Sequence, residues 1–133
     1  MYQRTVLIVE DEPMIRMILA DALEEEGYGV LEAETVLEAV AVLGCNGIDA
    51  VITDIDMPGA LSGLDLARFL HASTRTVPII ITSGGHSEAD CSLPNGAIFI
   101  SKPYSIPCMI ELLASLLKAG SDATGSVDRI RAA

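Results

Sequence analysis

The sequence predicts an α/β fold, a doubly wound sheet of five parallel strands with helices on both faces. Three observations lead to it. The short apolar runs are continuous rather than alternating, as strands buried on both faces require. Segments of helical periodicity lie between the runs, and such alternation builds parallel sheets. Acidic, hydroxyl and basic residues follow directly on the ends of the runs.

The first strand is Thr5–Val9. Pro13 then stands where a first-turn proline belongs, and Ile15, Ile18, Leu19, Ala22 and Leu23 share one helical face that stops at Gly27. A weaker strand, Gly29–Glu32, follows. Thr35 with Glu38 reads as a capping box opening a second helix, with Val36, Leu37, Val40 and Ala41 inward. Ala50–Thr53 is the third strand, and Leu66, Phe69 and Leu70 mark the third helix. Val77–Thr82 and Ala97–Ile100 complete the strands. Ile106, Met109, Ile110, Leu113, Ala114 and Leu117 mark the last helix, ended by Gly120. Only positions 83–96 separate the fourth and fifth strands, too few for a full crossover helix with its loops. The fourth helix is therefore expected to be short or absent. Residues 121–133 are small and polar and read as a flexible C-terminal tail, which leaves residues 1–120 as one domain.

Half of the 133 residues are apolar, enough for a core, and with no Trp, three Tyr and two Phe that core must be aliphatic. The formal charge of −11 and the eight scattered basic residues argue against direct nucleic-acid contact, which needs clustered Lys and Arg. Cys45, Cys91 and Cys108 are odd in number and lack metal-site spacing, so reduced thiols are the plain reading. No basic-then-apolar leader and no long apolar run is seen, so no membrane association is expected and the location is expected to be cytoplasmic.

Open parallel sheets bind ligands beyond the carboxyl ends of their strands. Glu10 and Asp11 follow the first strand, Asp54 and then Asp56 the third, Ser83-Gly84-Gly85 the fourth, and Lys102-Pro103 the fifth. Four segments in this order, Val6–Glu12, Thr53–Pro58, Pro78–Gly84 and Ser101–Tyr104, resemble the receiver domain of two-component response regulators, and the resemblance spans about residues 4–119. It implies a flavodoxin-like strand order 2-1-3-4-5. It also implies phosphorylation of Asp54 by a histidine kinase or histidine phosphotransfer protein, and output through an unidentified downstream protein. Such a domain catalyses its own phosphoryl transfer and dephosphorylation and is not an enzyme acting on an external substrate.

The chemistry of the residues agrees. Three converging carboxylates must share protons or bind a cation. An all-oxygen donor set suits Mg²⁺. Asp11 and Asp54 would bind it directly and Glu10 through water, and the resemblance adds the backbone carbonyl of Asp56. Asp54 would then be the nucleophile, with the metal and Lys102 stabilising the transferring group. The Ser83 hydroxyl would donate to a phosphoryl oxygen. By resemblance, Phe99, three residues before Lys102, would turn inward with it, and the Lys102–Pro103 bond would be cis.

Each residue also has a plainer reading. Glu10-Asp11-Glu12 could cap a helix, Asp54 could open a turn before Met57-Pro58-Gly59, and Lys102 could be a surface lysine. Phe99 could be core, the Asp56 carboxylate idle, and His71 and His86 surface residues. Thr82 rivals Ser83 for the switch role. The coincidence of Glu10, Asp11, Asp54 and Lys102 at one sheet edge favours the functional reading. Two departures from the family pattern stand out: one extra residue within Pro58–Gly63, and a segment between Ser83 and Lys102 short by about three. Gly85, two residues past the switch serine, implies weak shielding of a phosphoryl group, and so its fast loss.

The leading reading is a stand-alone receiver. A haloacid-dehalogenase-like phosphatase is the enzymatic alternative, through Asp54-Ile55-Asp56, although such enzymes carry that motif after the first strand. A phosphate-independent adaptor is the third reading.

Overall fold

The computed structural model describes residues 3–73, 77–85 and 96–118. Five strands, β1 (Thr5–Val9), β2 (Gly29–Ala33), β3 (Ala50–Asp54), β4 (Ile79–Ser83) and β5 (Ala97–Ser101), form one sheet in the order β2-β1-β3-β4-β5, with every pairing parallel. This is the expected flavodoxin-like order. The helices are α1 (Pro13–Glu25), α2 (Val36–Cys45), α3 (Gly63–Ala72) and α4, residues 106–118. The expectation of a short or absent helix between β4 and β5 falls on residues 86–95, outside the described residues, as does the tail.

Strand residues alternate in direction, so β1 feeds two cores. Val6 and Ile8 join Ala50, Ile52 and Ile80 under α1 and α4, against Leu19, Leu23, Met109 and Leu113. Leu7 and Val9 join Val51 and Ile81 under α2 and α3, against Val36, Ala39, Leu66 and Leu70. The burial of both faces explains why these strands read as unbroken apolar runs. The winding direction changes at β1, where the chain steps to β2 on one side and returns to β3 on the other. A crevice opens there, beyond the carboxyl ends of β1 and β3.

The strand ends differ slightly from expectation. β3 runs on to Asp54, and β4 starts at Ile79 and runs on to Ser83, because Asp54 pairs with Thr82 and Ser83 with Ser101. The two polar residues are thus held by the ladder and not by a loop. The helix faces differ as well. On α1, Ala20 is buried and Ile18 is half-exposed. On α2, Val36 and Ala39 face inward, whereas Ala41 is exposed and Leu37 is 71% exposed. Phe69 on α3 and Ala114 on α4 are also exposed. Apolarity alone cannot set the rotation of a helix whose composition is apolar on most sides.

The caps are local chemistry. Thr35 Oγ1 accepts from the Glu38 N–H at 3.1 Å, but the Glu38 carboxylate accepts from the Glu34 N–H and not from Thr35, so the expected box is displaced by one residue. A full capping box occurs instead at α3, between Ser62 and Asp65. Gly27, at φ +96°, ends α1 in the left-handed region. Cys45 and Cys108 are exposed and free. Among the described residues, no helix is long and apolar enough to cross a membrane.

Candidate functional site

At the carboxyl edge of the sheet, the chain leaves β1 through Glu10 and Asp11 while β3 ends on Asp54. Carboxylate oxygens of Glu10, Asp11 and Asp54 lie within 4.8 Å of one another. Glu10 and Asp54 are buried, whereas Asp11 is exposed. Lys102, just past β5, spans the crevice: its Nζ donates to Asp54 Oδ2 at 2.9 Å and to Glu10 Oε1 at 3.4 Å. The Lys102 N–H donates to the carbonyl of Ser83 at 2.8 Å, which ties the lysine to the end of β4. The Lys102–Pro103 bond is cis, as expected.

The electrostatics follow from burial and like charge. Burial pushes the Glu10 carboxyl above its usual range. The Glu12 N–H and Lys102 oppose this shift, while Asp54 and Asp11 add to it. Burial pulls Lys102 down, but its hydrogen bond and charge interaction with Asp54, then those with Glu10, outweigh it and leave the ammonium raised. Tyr104, beside them, is raised mainly by burial. One ammonium thus bridges two of the three carboxylates, Glu10 and Asp54.

The other expected residues are placed as follows. The Asp56 N–H donates to Asp54 Oδ1 at 3.3 Å, and the Asp56 side chain is exposed. Ser83 is buried at the last position of β4, and its Oγ accepts from the Gly85 N–H at 3.2 Å. Its rival Thr82 is buried too, but its hydroxyl donates to the carbonyl of Thr53 at 3.5 Å and so serves the ladder. Phe99 pairs with Ile81 and packs, partly buried, against the core on the α2 and α3 side. The site therefore gathers Glu10, Asp11, Asp54 and Lys102, with Ser83 at its rim, and leaves Phe99 in the sheet.

Two residues were missed from sequence. Gly63, at the start of α3, donates its N–H to the carbonyl of Ile55 at 3.1 Å and leaves no room for a Cβ against the backbone of Asp54. Arg16 on α1 donates to the carbonyl of Glu10 at 2.7 Å. Gly63 was legible only as part of the loop after the strand, and Arg16 stood outside the apolar stripe of its helix.

A parallel sheet that gathers three carboxylates and a lysine at its switch point is the arrangement that the receiver resemblance implies. A family profile described as the response regulator receiver domain matches residues 6–114, and the chain belongs to that family. It is 37% identical over 123 residues to the phosphate regulon transcriptional regulatory protein PhoB of Pseudomonas aeruginosa, covering 89% of this chain and 53% of that protein. It is 40% identical over 115 residues to the transcriptional regulatory protein PdtaR of Mycobacterium tuberculosis, covering 83% of this chain and 55% of that protein. The chain thus spans about half the length of the curated relatives it matches. Among solved structures, it matches a CheY-like response regulator receiver domain protein from Methanospirillum hungatei with a TM-score of 0.85 at 26% identity, covering 92% of this chain and 99% of that one. It also matches the receiver domain of the hybrid histidine kinase CckA with a TM-score of 0.71 at 32% identity, covering 85% of this chain and 98% of that one. The chain is a phosphorylation-activated receiver, of a family whose members are typically signalling proteins and not enzymes. Neither the family nor the position of Asp54 at the third strand supports the dehalogenase-like reading.

Proposed function

We propose that Asp54 is the phosphoacceptor, served by Mg²⁺ and Lys102, and that residues 1–120 form the switching unit. The observation that carries this is the cluster itself: three carboxylates within 4.8 Å of one another, with Lys102 Nζ 2.9 Å from Asp54. An all-oxygen donor set at a partly open crevice fits a hard divalent cation that keeps several waters. Glu10, Asp11, Asp54 and the Asp56 carbonyl would hold it. When bound, it neutralises the carboxylates and the oxygens of an incoming phosphoryl group.

Asp54 attacks phosphorus with a carboxylate oxygen. The bond from phosphorus to the donor's imidazole nitrogen breaks, its electron pair stays on that nitrogen, and the product is an aspartyl phosphate. Lys102, which pairs with Asp54 beforehand, transfers its hydrogen bond to a phosphoryl oxygen. The Ser83 hydroxyl, whose oxygen accepts from the Gly85 N–H, donates its own proton to another phosphoryl oxygen, and Phe99 fills the space that loop movement opens. The bistable element is the end of β4 together with Phe99. The donor is a histidine kinase or histidine phosphotransfer protein, and the output is a protein partner. The relatives named as transcriptional regulators are longer, and the matched region covers 53% and 55% of them. With its charge of −11, this unit is not expected to touch nucleic acid itself. A cytoplasmic location suits that chemistry.

Incubation with acetyl phosphate and Mg²⁺ is expected to add one phosphoryl group by intact mass, with amide NMR shifts at Asp54, Ser83, Phe99 and Lys102. No mass gain, or modification elsewhere, overturns the assignment.

Glu10 gives a second test. Because its folded-state pKa is raised above 4.5, the folded chain holds that proton more tightly than the unfolded chain. Its contribution to stability is present below that value and is lost as pH rises through the folded-state pKa. At neutral pH, charged Glu10 therefore opposes the metal-free fold. Glu10→Gln is expected to raise the unfolding midpoint in chelator at pH 7 and to weaken Mg²⁺ binding several-fold. A variant less stable than wild type without metal contradicts this.

A further inference from the structure

We propose that Arg16 is a positioning residue, which clamps the loop carrying Glu10 and Asp11 to the edge strand β2 and so pre-forms the cation site. The inference rests on the assignment of the acidic cluster as that site. Arg16 lies one turn into α1, and its guanidinium is committed on three sides. Nη1 donates to the carbonyl of Glu10 at 2.7 Å, Nε to Glu32 Oε1 at 3.0 Å, and Nη2 to Glu34 Oε1 at 3.3 Å. Its side chain is only 14% exposed, unlike an ordinary surface cation.

The direction of anchoring is set by geometry. Glu32 is the fourth residue of β2, in register with Ile8 of β1, and Glu34 follows the strand directly. The Glu34 N–H is itself held by Glu38 of α2 at 2.9 Å. The backbone that carries both carboxylates is thus anchored, Glu32 in the sheet and Glu34 to α2, and the fork links it to the Glu10 carbonyl. The Glu10 N–H is held on the same side by the carbonyl of Ala33 at 3.0 Å. With both backbone groups of Glu10 fixed, its carboxylate is directed toward Asp54 and Lys102, and its Oε2 also accepts from the Glu12 N–H at 3.1 Å. Exposed ion pairs contribute little to stability by themselves, but groups that orient metal ligands without touching the metal tune affinity strongly. Arginine suits this place because its rigid fork reaches a carbonyl and two carboxylates at once, which a lysine point charge cannot do.

The test compares wild type with Arg16→Met, which keeps the length of the stem, with Arg16→Lys, and with the Glu32→Gln/Glu34→Gln double variant, which leaves the arginine but neutralises its anchors. Mg²⁺ affinity is measured by NMR titration. Amide hydrogen exchange is measured in the metal-free protein. Arg16→Met is expected to weaken Mg²⁺ binding about 10-fold or more and to speed exchange at the Glu10 and Glu12 amides, while exchange at Val51 and Ile52 is unchanged. Arg16→Lys and the double variant are expected to fall in between. Wild-type Mg²⁺ affinity in Arg16→Met, uniformly faster exchange across β3, or full wild-type behaviour in Arg16→Lys each overturns the positioning role. If wild type itself does not bind Mg²⁺, the reading of the cluster fails first, and the proposal with it.

Discussion

Asp54→Asn is expected to abolish phosphorylation by acetyl phosphate and by any phosphohistidine donor. The amide occupies the same space at the end of β3 and can still accept from Lys102 Nζ, now 2.9 Å from Asp54 Oδ2, but its oxygen is no nucleophile for phosphorus. Intact mass after incubation should equal that of the untreated variant. The NMR shifts seen in wild type at Ser83 and Lys102 should be absent. The fold should survive, because the change removes one of three crowded carboxylates from a largely buried site. The variant also separates the remaining readings. A receiver loses signalling with Asp54→Asn, whereas a phosphate-independent adaptor keeps it. Full output from the variant would refute phosphorylation of Asp54 as the switch, even if the mass experiment succeeded on wild type.

Gly63→Ala is expected to be the most damaging single methyl group near the site. A Cβ at Gly63 would stand about 3.0 Å from the carbonyl carbon of Asp54 and from the Cα of Ile55, and nearer still to the Asp54 oxygen. These are backbone atoms at the proposed phosphoacceptor, so no side-chain rotation relieves the contact. Overpacking of this kind destabilises by about 1–3 kcal/mol, and more where backbone must move. Here the motion also displaces Asp54 from Lys102 and from the acidic loop. Unfolding by denaturant should show the loss, and transfer from acetyl phosphate should slow in the folded fraction as well. Gly44→Ala is the control. Gly44 lies within α2, and a methyl group added there would meet nothing within 4 Å. This change should stabilise by up to ~1 kcal/mol through helix propensity. Wild-type stability and transfer rate in Gly63→Ala would refute the packing argument.

Much of the site was legible because its chemistry sits at fixed offsets from strands that announce themselves. A continuous apolar run such as Ala50–Thr53 marks a strand buried on both sides, and the polar residue that ends it lies at the carboxyl edge of the sheet. Asp54, Glu10, Asp11 and Lys102 were placed at that edge by this rule and singled out by the family resemblance. The pairing of Asp54 with Thr82 and of Ser83 with Ser101 refines the rule, since these residues are the last rungs of the ladder and not the first of a loop. Helix rotation was less legible. Leu37 and Phe69 are apolar and outward, and neither differs in kind from Val36 or Leu66, which are inward.

The amino-acid sequence by itself determined the class of fold and the polar residues that fall at the carboxyl edge of the sheet, while their proposed roles rest on the family resemblance. The fold class and these positions depend on period and residue type, which are local properties, whereas the strand order was implied by the resemblance and is set by tertiary pairing. Only the tertiary structure decided what holds the groups in place. Gly63 matters through a contact with the backbone of Asp54 across a loop, and Arg16 through one carbonyl and two carboxylates drawn from different connections. Neither contact has a sequence period. Each exists because the doubly wound sheet brings the ends of β1, β2 and β3 side by side, and the acidic crevice of Asp54 is as much the product of that convergence as of the aspartate itself.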